Sequence, residues 1–111
     1  MELKNLKLEE EYIDEQNQIT VVYLTGPKEL VKELTGIDYP DASSTEICIE
    51  YPGEYPFPEP EEPAVVRVSP TRLEDDGMTE SDYDWTDIEV TPEDIVKLNN
   101  VIRESRTTLP A

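Results

Sequence analysis

The sequence predicts an α+β fold in which an antiparallel sheet of about four strands carries helices on one side. Apolar and polar residues alternate over residues 45–51 and again over 65–68, which is the period of strands with one buried face. Residues 91–106 instead place apolar side chains at helical spacing behind a threonine–proline start. A chain of 111 residues can build one modest core, so we expect a single domain over 1–111.

Two further segments are expected to contribute to the sheet. Residues 19–24 (ITVVYL) are rich in β-branched and aromatic side chains and predict a strand. Residues 83–90 alternate, with Thr86, Ile88 and Val90 on one face and Trp85, Asp87 and Glu89 on the other. The N-terminal segment 1–13 stays open between a short helix and a strand that ends at the polar turn 14–18, because its leucines and Tyr12 suit both.

Helices are predicted where start and stop signals frame an apolar stripe. Pro27 suits a first helical position and Gly36 a left-handed cap, so residues 27–35 predict a short helix. Thr91 and Pro92 open a second helix, with Glu93 and Asp94 near the positive end of its dipole. Its expected buried stripe is Ile95, Leu98, Val101 and Ile102.

The remaining segments predict irregular structure. Five of the ten prolines fall within 52–63, and proline cannot donate to a strand ladder, so we expect a proline-rich turn there. Residues 70–82 predict an acidic flexible loop, with Asp76-Gly77 as its turn signal. Residues 107–111 predict a frayed tail.

The charge balance narrows the choice of partner. The net charge is −18, from 27 acidic and 9 basic residues, and the windows 33–66 and 73–96 hold 19 of the acids without one base. Such a field repels nucleic acid and anionic membranes and favours a basic protein surface, although it also suits a protein that is merely kept soluble. No apolar run approaches the roughly 20 residues of a membrane span and no signal segment is evident, so we expect a cytoplasmic, intracellular protein.

No residue pattern predicts an enzyme, a cofactor or a metal site. Cys48 is the single cysteine, stands between Glu46 and Glu50, and has no histidine to act as its base. We therefore expect Cys48 to be a small, half-buried residue of its strand.

The spacing of Asp82, Asp84 and Glu93 is similar to a calcium loop, but an aspartate occupies the position that needs glycine. The PxxP match at 60–63 is flanked by glutamates, which favours a structural turn over a polyproline ligand.

Exposed aromatic residues among acids are the candidate partner-binding site. In one interpretation, Trp85 and Tyr83 are exposed and provide most of the binding energy for a basic partner. In the other, Trp85 is a core tryptophan, and the sequence favours neither interpretation. Tyr55 and Phe57 in the proline-rich turn are further candidates. The expected partner-binding residues are Tyr55, Phe57, Asp82, Tyr83, Asp84, Trp85, Asp87 and Glu89.

Three segments together carry a family resemblance. Residues 47–60 read ICIEYPGEYPFPEP, residues 21–27 read VVYLTGP, and Trp85 precedes the C-terminal helix. This arrangement resembles the ubiquitin-conjugating enzymes and their inactive relatives, the conjugating-enzyme variants and RWD domains. The family's His-Pro-Asn step is missing, and no cysteine stands between the second of the two strands and Trp85, so no thioester can form.

The resemblance therefore implies a fold and a binding role. In the family the phenylalanine of the Tyr-Pro-Phe turn contacts partner ligases, and the matching position is Phe57. The expected function is a non-catalytic acidic interaction module, an adaptor or inhibitor that docks a basic protein surface and does not bind nucleic acid directly. The alternative is an acidic nucleic-acid mimic, or an immunity- or antitoxin-type protein, that blocks a nucleic-acid-binding protein. The oligomeric state stays open.

Overall fold

The fold is an antiparallel sheet with two helices, in a computed structural model that describes residues 5–54, 62–73, 79–81 and 85–108. The strands run in the order β1-β2-β3-β4-β5, and β6 also pairs with β4. Every strand pairing is antiparallel. The predicted α+β class is confirmed, with six strands in the described part rather than about four. The elements are β1 (Lys7–Asp14), β2 (Ile19–Gly26), α1 (Leu30–Thr35), β3 (Ser44–Pro52), β4 (Val65–Leu73), β5 (Thr79–Ser81), β6 (Thr86–Asp87) and α2 (Pro92–Thr108).

Strand alternation separates one apolar face, which both helices cover. The helix-covered side chains of β2, β3 and β4 are each at most 4% exposed, and α2 adds Leu98 and Ile102 to the same cluster. Full burial of one such side chain contributes roughly 1.5–3 kcal/mol, so this cluster is the main source of stability. The strand members of this core are Val22, Leu24, Ile47, Ile49, Tyr51, Val66 and Val68.

Helix α1 is anchored by Thr45 of β3. The Thr45 hydroxyl donates to the Pro27 carbonyl (2.8 Å) and accepts from the Val31 amide (2.9 Å). The helix begins at Leu30, so its predicted start at Pro27 is wrong, because the chain first makes a turn in which the Leu30 amide donates to the Pro27 carbonyl (3.1 Å). The predicted cap at Gly36 is confirmed, with φ 77° and its amide bonded to the Lys32 carbonyl (2.8 Å).

Helix α2 has the predicted threonine cap. The Asp94 amide donates to the Thr91 hydroxyl (3.2 Å), and the Thr91 amide donates to the Asp94 carboxylate (3.4 Å), so each residue satisfies the other's backbone donor. A buried hydrogen bond from the Tyr51 hydroxyl to the Asn99 side-chain carbonyl (2.6 Å) then ties the helix to β3.

Helix α2 also continues through Thr108, which corrects the frayed tail predicted from residue 107, because helical hydrogen bonding does not stop at the last apolar position. Residues 109–111 lie outside the described part.

Several segments predicted as irregular or open are strands. Residues 7–14 form β1, which ends at the expected polar turn. Residues 70–73 belong to β4 and 79–81 form β5, which corrects the flexible loop predicted over 70–82; residues 74–78 and 82 are outside the description. Residues 70–73 are held in the sheet by cross-strand pairing, because Thr71 lies opposite Ser44 and their hydroxyls are hydrogen-bonded.

Two other segments differ in extent from the prediction. Within the described residues 85–90, the strand predicted over 83–90 is limited to Thr86–Asp87, because Ile88 and Val90 after it pack against the core; residues 83 and 84 lie outside the described part. Pro52 is the last residue of β3, and the Ala64 amide donates to the Glu50 carbonyl (2.8 Å), so part of the predicted proline-rich turn at 52–63 continues the strand pairing. Residues 55–61 of that turn lie outside the described residues.

Candidate binding surface

The candidate surface is the side of the sheet that α1 and α2 do not cover, called here the helix-free face. Strand register determines which residues it carries. Tyr23 of β2 pairs with Cys48 of β3, Cys48 pairs with Arg67 of β4, and Arg67 pairs with Asp87 of β6. Glu10 of β1 pairs with Tyr23 on the other side, so one polar and aromatic row runs across β1, β2, β3, β4 and β6.

Three aromatic side chains form a cluster on this face. The Tyr12 and Tyr23 rings lie 6.3 Å apart between centroids and are nearly parallel, with an interplanar angle of 23°. The Trp85 ring lies 6.4 Å from that of Tyr23 and is tilted by 53°. Tyr12 is 41% exposed and the other two are half-buried. The aromatic cluster (Tyr12, Tyr23 and Trp85) is therefore a connected surface with accessible ring area.

The position of Trp85 is determined by the pairing of β6 with β4. Trp85 directly precedes β6, which pairs with β4, whereas Tyr23 lies two strands further in. The indole must therefore extend inward over the helix-free face to contact Tyr23. Ser69 and Cys48, which lie on the intervening strands, are 0% and 7% exposed. Trp85 is thus neither a core tryptophan nor a fully exposed one; it is half-buried beside Tyr23 on the face opposite the core.

Cys48 is buried beneath this cluster and is not activated. Burial raises the pKa of its thiol to about 11, and the neighbouring Glu50 and Glu46 contribute less than burial does. Burial also raises the pKa of the Tyr23 hydroxyl, with smaller contributions from Cys48 and Tyr12. Both groups stay protonated near neutral pH, so they offer hydrogen-bond donors rather than nucleophiles.

Three glutamates on β1 and β3 interact electrostatically, and we call Glu9, Glu10 and Glu46 the carboxylate corner. Burial, followed by the charges of Glu9 and Glu10, raises the pKa of Glu46 to about 7. Within the described residues none of the three carboxylates forms an ion pair. Lys7 lies in the same region, opposite Thr25, but it is exposed and, in the described part of the chain, forms no ion pair with Glu46. The corner therefore concentrates uncompensated negative charge.

The opposite end of the same face already holds a compensated cation. The Arg67 guanidinium lies 3.4 Å from the Glu50 carboxylate and 3.0 Å from the Asp87 carboxylate, and the latter contact is also a hydrogen bond. Exposed ion pairs of this kind contribute about 0–1 kcal/mol each to stability. These ion pairs matter mainly for the geometry of the surface, because they show that the helix-free face accommodates a guanidinium between two carboxylates.

The sequence-predicted site residues divide between this face and other places. Trp85 and Asp87 lie on the helix-free face. Glu89 is exposed and lines an open groove of about 380 Å³ with Val65, Ile88 and Ile95, so it is not part of the aromatic cluster. The predicted binding residues Tyr55, Phe57, Asp82, Tyr83 and Asp84 lie outside the described residues.

The residues that complete the surface were missed by sequence reasoning. Tyr23 could have been found, because it alternates with Val22 and Leu24, which are core residues. Tyr12 could not, because a bulge between Leu8 and Glu10 shifts the register of β1 by one residue. That shift moves Tyr12 away from the face that Leu8 occupies. The carboxylate corner also depends on it, because the shift places Glu10 opposite Tyr23, on the face that carries Glu46.

Neither a metal site, a membrane-spanning helix nor a known relative identifies the function of the described part of the chain. Among the described residues, no group of three or more potential ligating side chains is placed to hold a metal ion. The described helices include none with the length and apolar character that a membrane crossing requires. No protein-family model, curated protein or solved structure matches the chain.

Proposed function

We propose that this protein is a non-catalytic acidic interaction module, an adaptor or inhibitor that docks a basic protein surface through its helix-free face. The observation that carries the proposal is the accessible aromatic cluster beside an uncompensated carboxylate corner. Tyrosine and tryptophan dominate binding energy in many interfaces, and carboxylates attract and orient a basic partner. The chain's net charge of −18 strengthens this attraction at long range.

The non-catalytic part of the proposal is supported by the state of Cys48. A thiol that is 7% exposed and has its pKa raised to about 11 is a poor nucleophile, and the chain has no histidine to act as its base.

The single buried thiol suits a reducing intracellular location, which we include in the proposal. Kinship with inactive ubiquitin-conjugating or RWD-type domains is also included. It is supported by β3 and β4, which are antiparallel neighbours joined through the proline-rich segment.

A second candidate is an acidic nucleic-acid mimic, or an immunity- or antitoxin-type inhibitor of a nucleic-acid-binding protein. The observation that favours it is the placement of 19 of the 27 acids in two windows without a base. In this case carboxylates across the whole molecule replace phosphates, so affinity depends on total charge rather than on one face.

Charge reversals at two exposed positions test these functions. Glu10→Lys alters the helix-free face, and Glu33→Lys makes the same charge change on α1. Each protein is immobilised and exposed to its host extract at about 50 mM and about 500 mM salt, and the retained proteins are identified by mass spectrometry. The proposal expects a retained basic protein that is lost with Glu10→Lys and kept with Glu33→Lys.

The other outcomes distinguish the candidates. Equal losses with both variants, together with displacement of the partner by duplex DNA, favour the mimic. A partner that stays bound to Glu10→Lys and resists both salt and DNA contradicts both functions.

A further inference from the structure

We propose that the aromatic cluster and the carboxylate corner together form an arginine-binding site, and that its occupant is an extended segment of the partner with arginines at alternate positions. This inference rests on the proposed docking function and specifies the chemistry of the docked segment. Nothing in that function by itself distinguishes arginine from lysine or an extended segment from a helix.

The ring geometry favours a planar cation. Tyr12 and Tyr23 are stacked with their ring planes inclined by only 23°, and we call the solvent-accessible part of this pair the platform. Trp85 is tilted by 53° against Tyr23 and forms a side wall. A guanidinium stacks on such a surface through its flat face, which is less strongly hydrated than an ammonium group. The platform is therefore matched to arginine better than to lysine.

The carboxylates provide the second half of the recognition. Glu10 pairs directly with Tyr23 across β1 and β2, so its carboxylate borders the platform. A guanidinium stacked on Tyr23 can direct its N–H groups toward Glu10 while it keeps the ring contact. The chain's own Arg67 gives a precedent on the same face, where one guanidinium contacts the carboxylates of Glu50 and Asp87.

The spacing of the rings points to an extended occupant. Successive ring centroids are 6.3 and 6.4 Å apart. In an extended chain, residues two apart lie on the same side at roughly 6.6–6.8 Å, from the rise of 3.3–3.4 Å per residue. Arginines at alternate positions can thus meet neighbouring rings. Arginines at consecutive positions point to opposite sides and cannot.

Protonation of the corner links this site to pH. Glu46 has its pKa raised to about 7, and a bound guanidinium favours the ionised carboxylate. Affinity therefore rises between about pH 6 and pH 8. The charged or titratable groups that face Glu46 are Lys7, Glu9 and Glu10 on β1, Tyr23 on β2, Cys48 and Glu50 on β3, and Arg67 on β4; its direct partners Thr25 and Ser69 are uncharged.

Peptide titration of the full chain tests the site, with Trp85 fluorescence as the readout because the chain has one tryptophan. The probes are a peptide of Arg-Thr repeats, the matching Lys-Thr repeats, and a peptide with the same composition whose arginines are consecutive. A stacking contact of about 1 kcal/mol corresponds to about five-fold in affinity, so the Arg-Thr peptide should bind about five-fold more tightly than either comparison peptide.

A matched pair of variants locates the effect. Tyr12 and Ile13 are adjacent, each 41% exposed, and lie on opposite faces of β1. Tyr12→Thr should abolish the preference for Arg-Thr repeats, and Ile13→Thr should keep it. Equal binding of all three peptides with no effect of Tyr12→Thr would overturn the arginine site but leave basic docking intact. No binding of any peptide at about 50 mM salt would overturn both.

Discussion

The two faces of the sheet use the same strands for different purposes. On β3, Ile47, Ile49 and Tyr51 point toward the helices and are at most 1% exposed. The alternating residues of the same strand point the other way, and two of them, Glu46 and Glu50, are carboxylates. The helix-covered face provides a close-packed core, whereas the helix-free face presents aromatic rings and carboxylates. Stability and recognition can therefore be altered separately, one residue apart.

Buried polar groups also have different environments on the two faces. On the helix-covered side, the Tyr51 hydroxyl is buried and bonded to Asn99 at 2.6 Å, and this bond joins α2 to the sheet. On the helix-free side, Glu46 is half-buried beside two other glutamates, and this proximity helps to raise its pKa to about 7. Polar burial on the first side strengthens the fold, whereas on the second side it has an electrostatic cost. Such a cost is typical of functional surfaces.

The largest effect is expected from a core truncation. Ile49 is 0% exposed, so Ile49→Ala removes buried methyl groups and leaves a cavity, which should lower the free energy of unfolding by about 3 kcal/mol. Ile13→Ala makes the same chemical change at a position that is 41% exposed and should cost less than about 1 kcal/mol. Urea unfolding followed by circular dichroism measures both. Both residues lie on the helix-covered side, so equal losses would contradict the placement of Ile49 in the core and of Ile13 at its exposed margin.

A smaller effect is expected from the buried hydrogen bond. Tyr51→Phe removes the donor to Asn99 and should lower the free energy of unfolding by about 1.5 kcal/mol, because both groups are buried. The matched change Tyr12→Phe, on the helix-free face, should cost at most about 0.5 kcal/mol, since water replaces the lost contact. Thermal and urea unfolding of the pair test this contrast. A larger loss for Tyr12→Phe would reverse the assignment of the two faces.

The smallest effect is expected from Glu46 and depends on pH. Its pKa rises from 4.5 in the unfolded chain to about 7 in the fold. Between these values the unfolded state has released a proton that the native state retains, so this group's contribution to stability falls as pH rises through the window. Glu46→Gln removes that loss. The variant should match the wild type near pH 4.5 and exceed it by on the order of 1 kcal/mol at pH 8, after allowance for solvent screening.

Glu50→Gln is the control for this pH effect. Glu50 lies on the same strand and face as Glu46 but contacts Arg67 at 3.4 Å, so its neutralisation should destabilise the protein slightly or leave stability unchanged at pH 8. Unfolding curves at several pH values distinguish the variants. A gain in stability from Glu50→Gln equal to that from Glu46→Gln would show that only the net charge matters.

Much of the fold was predictable because its signals are local. The alternation in β3 and β4, the β-branched run of β2 and the Thr91 cap of α2 are each contained within a few residues. The start of α1 was wrong because its position is set by Thr45, a residue on another strand. Residues 70–73 and 79–81 were missed as strands because their pairing depends on distant partners rather than on their own periodicity.

By itself, the sequence determined the α+β class, the apolar face of the central strands and the strong negative charge. Only the tertiary structure decided which residues share the helix-free face. The bulge at β1 places Tyr12 beside Tyr23, and the pairing of β6 with β4 allows Trp85 to reach Tyr23. The physical reason is that side-chain periodicity is a property of each strand, whereas register and bulges arise between strands.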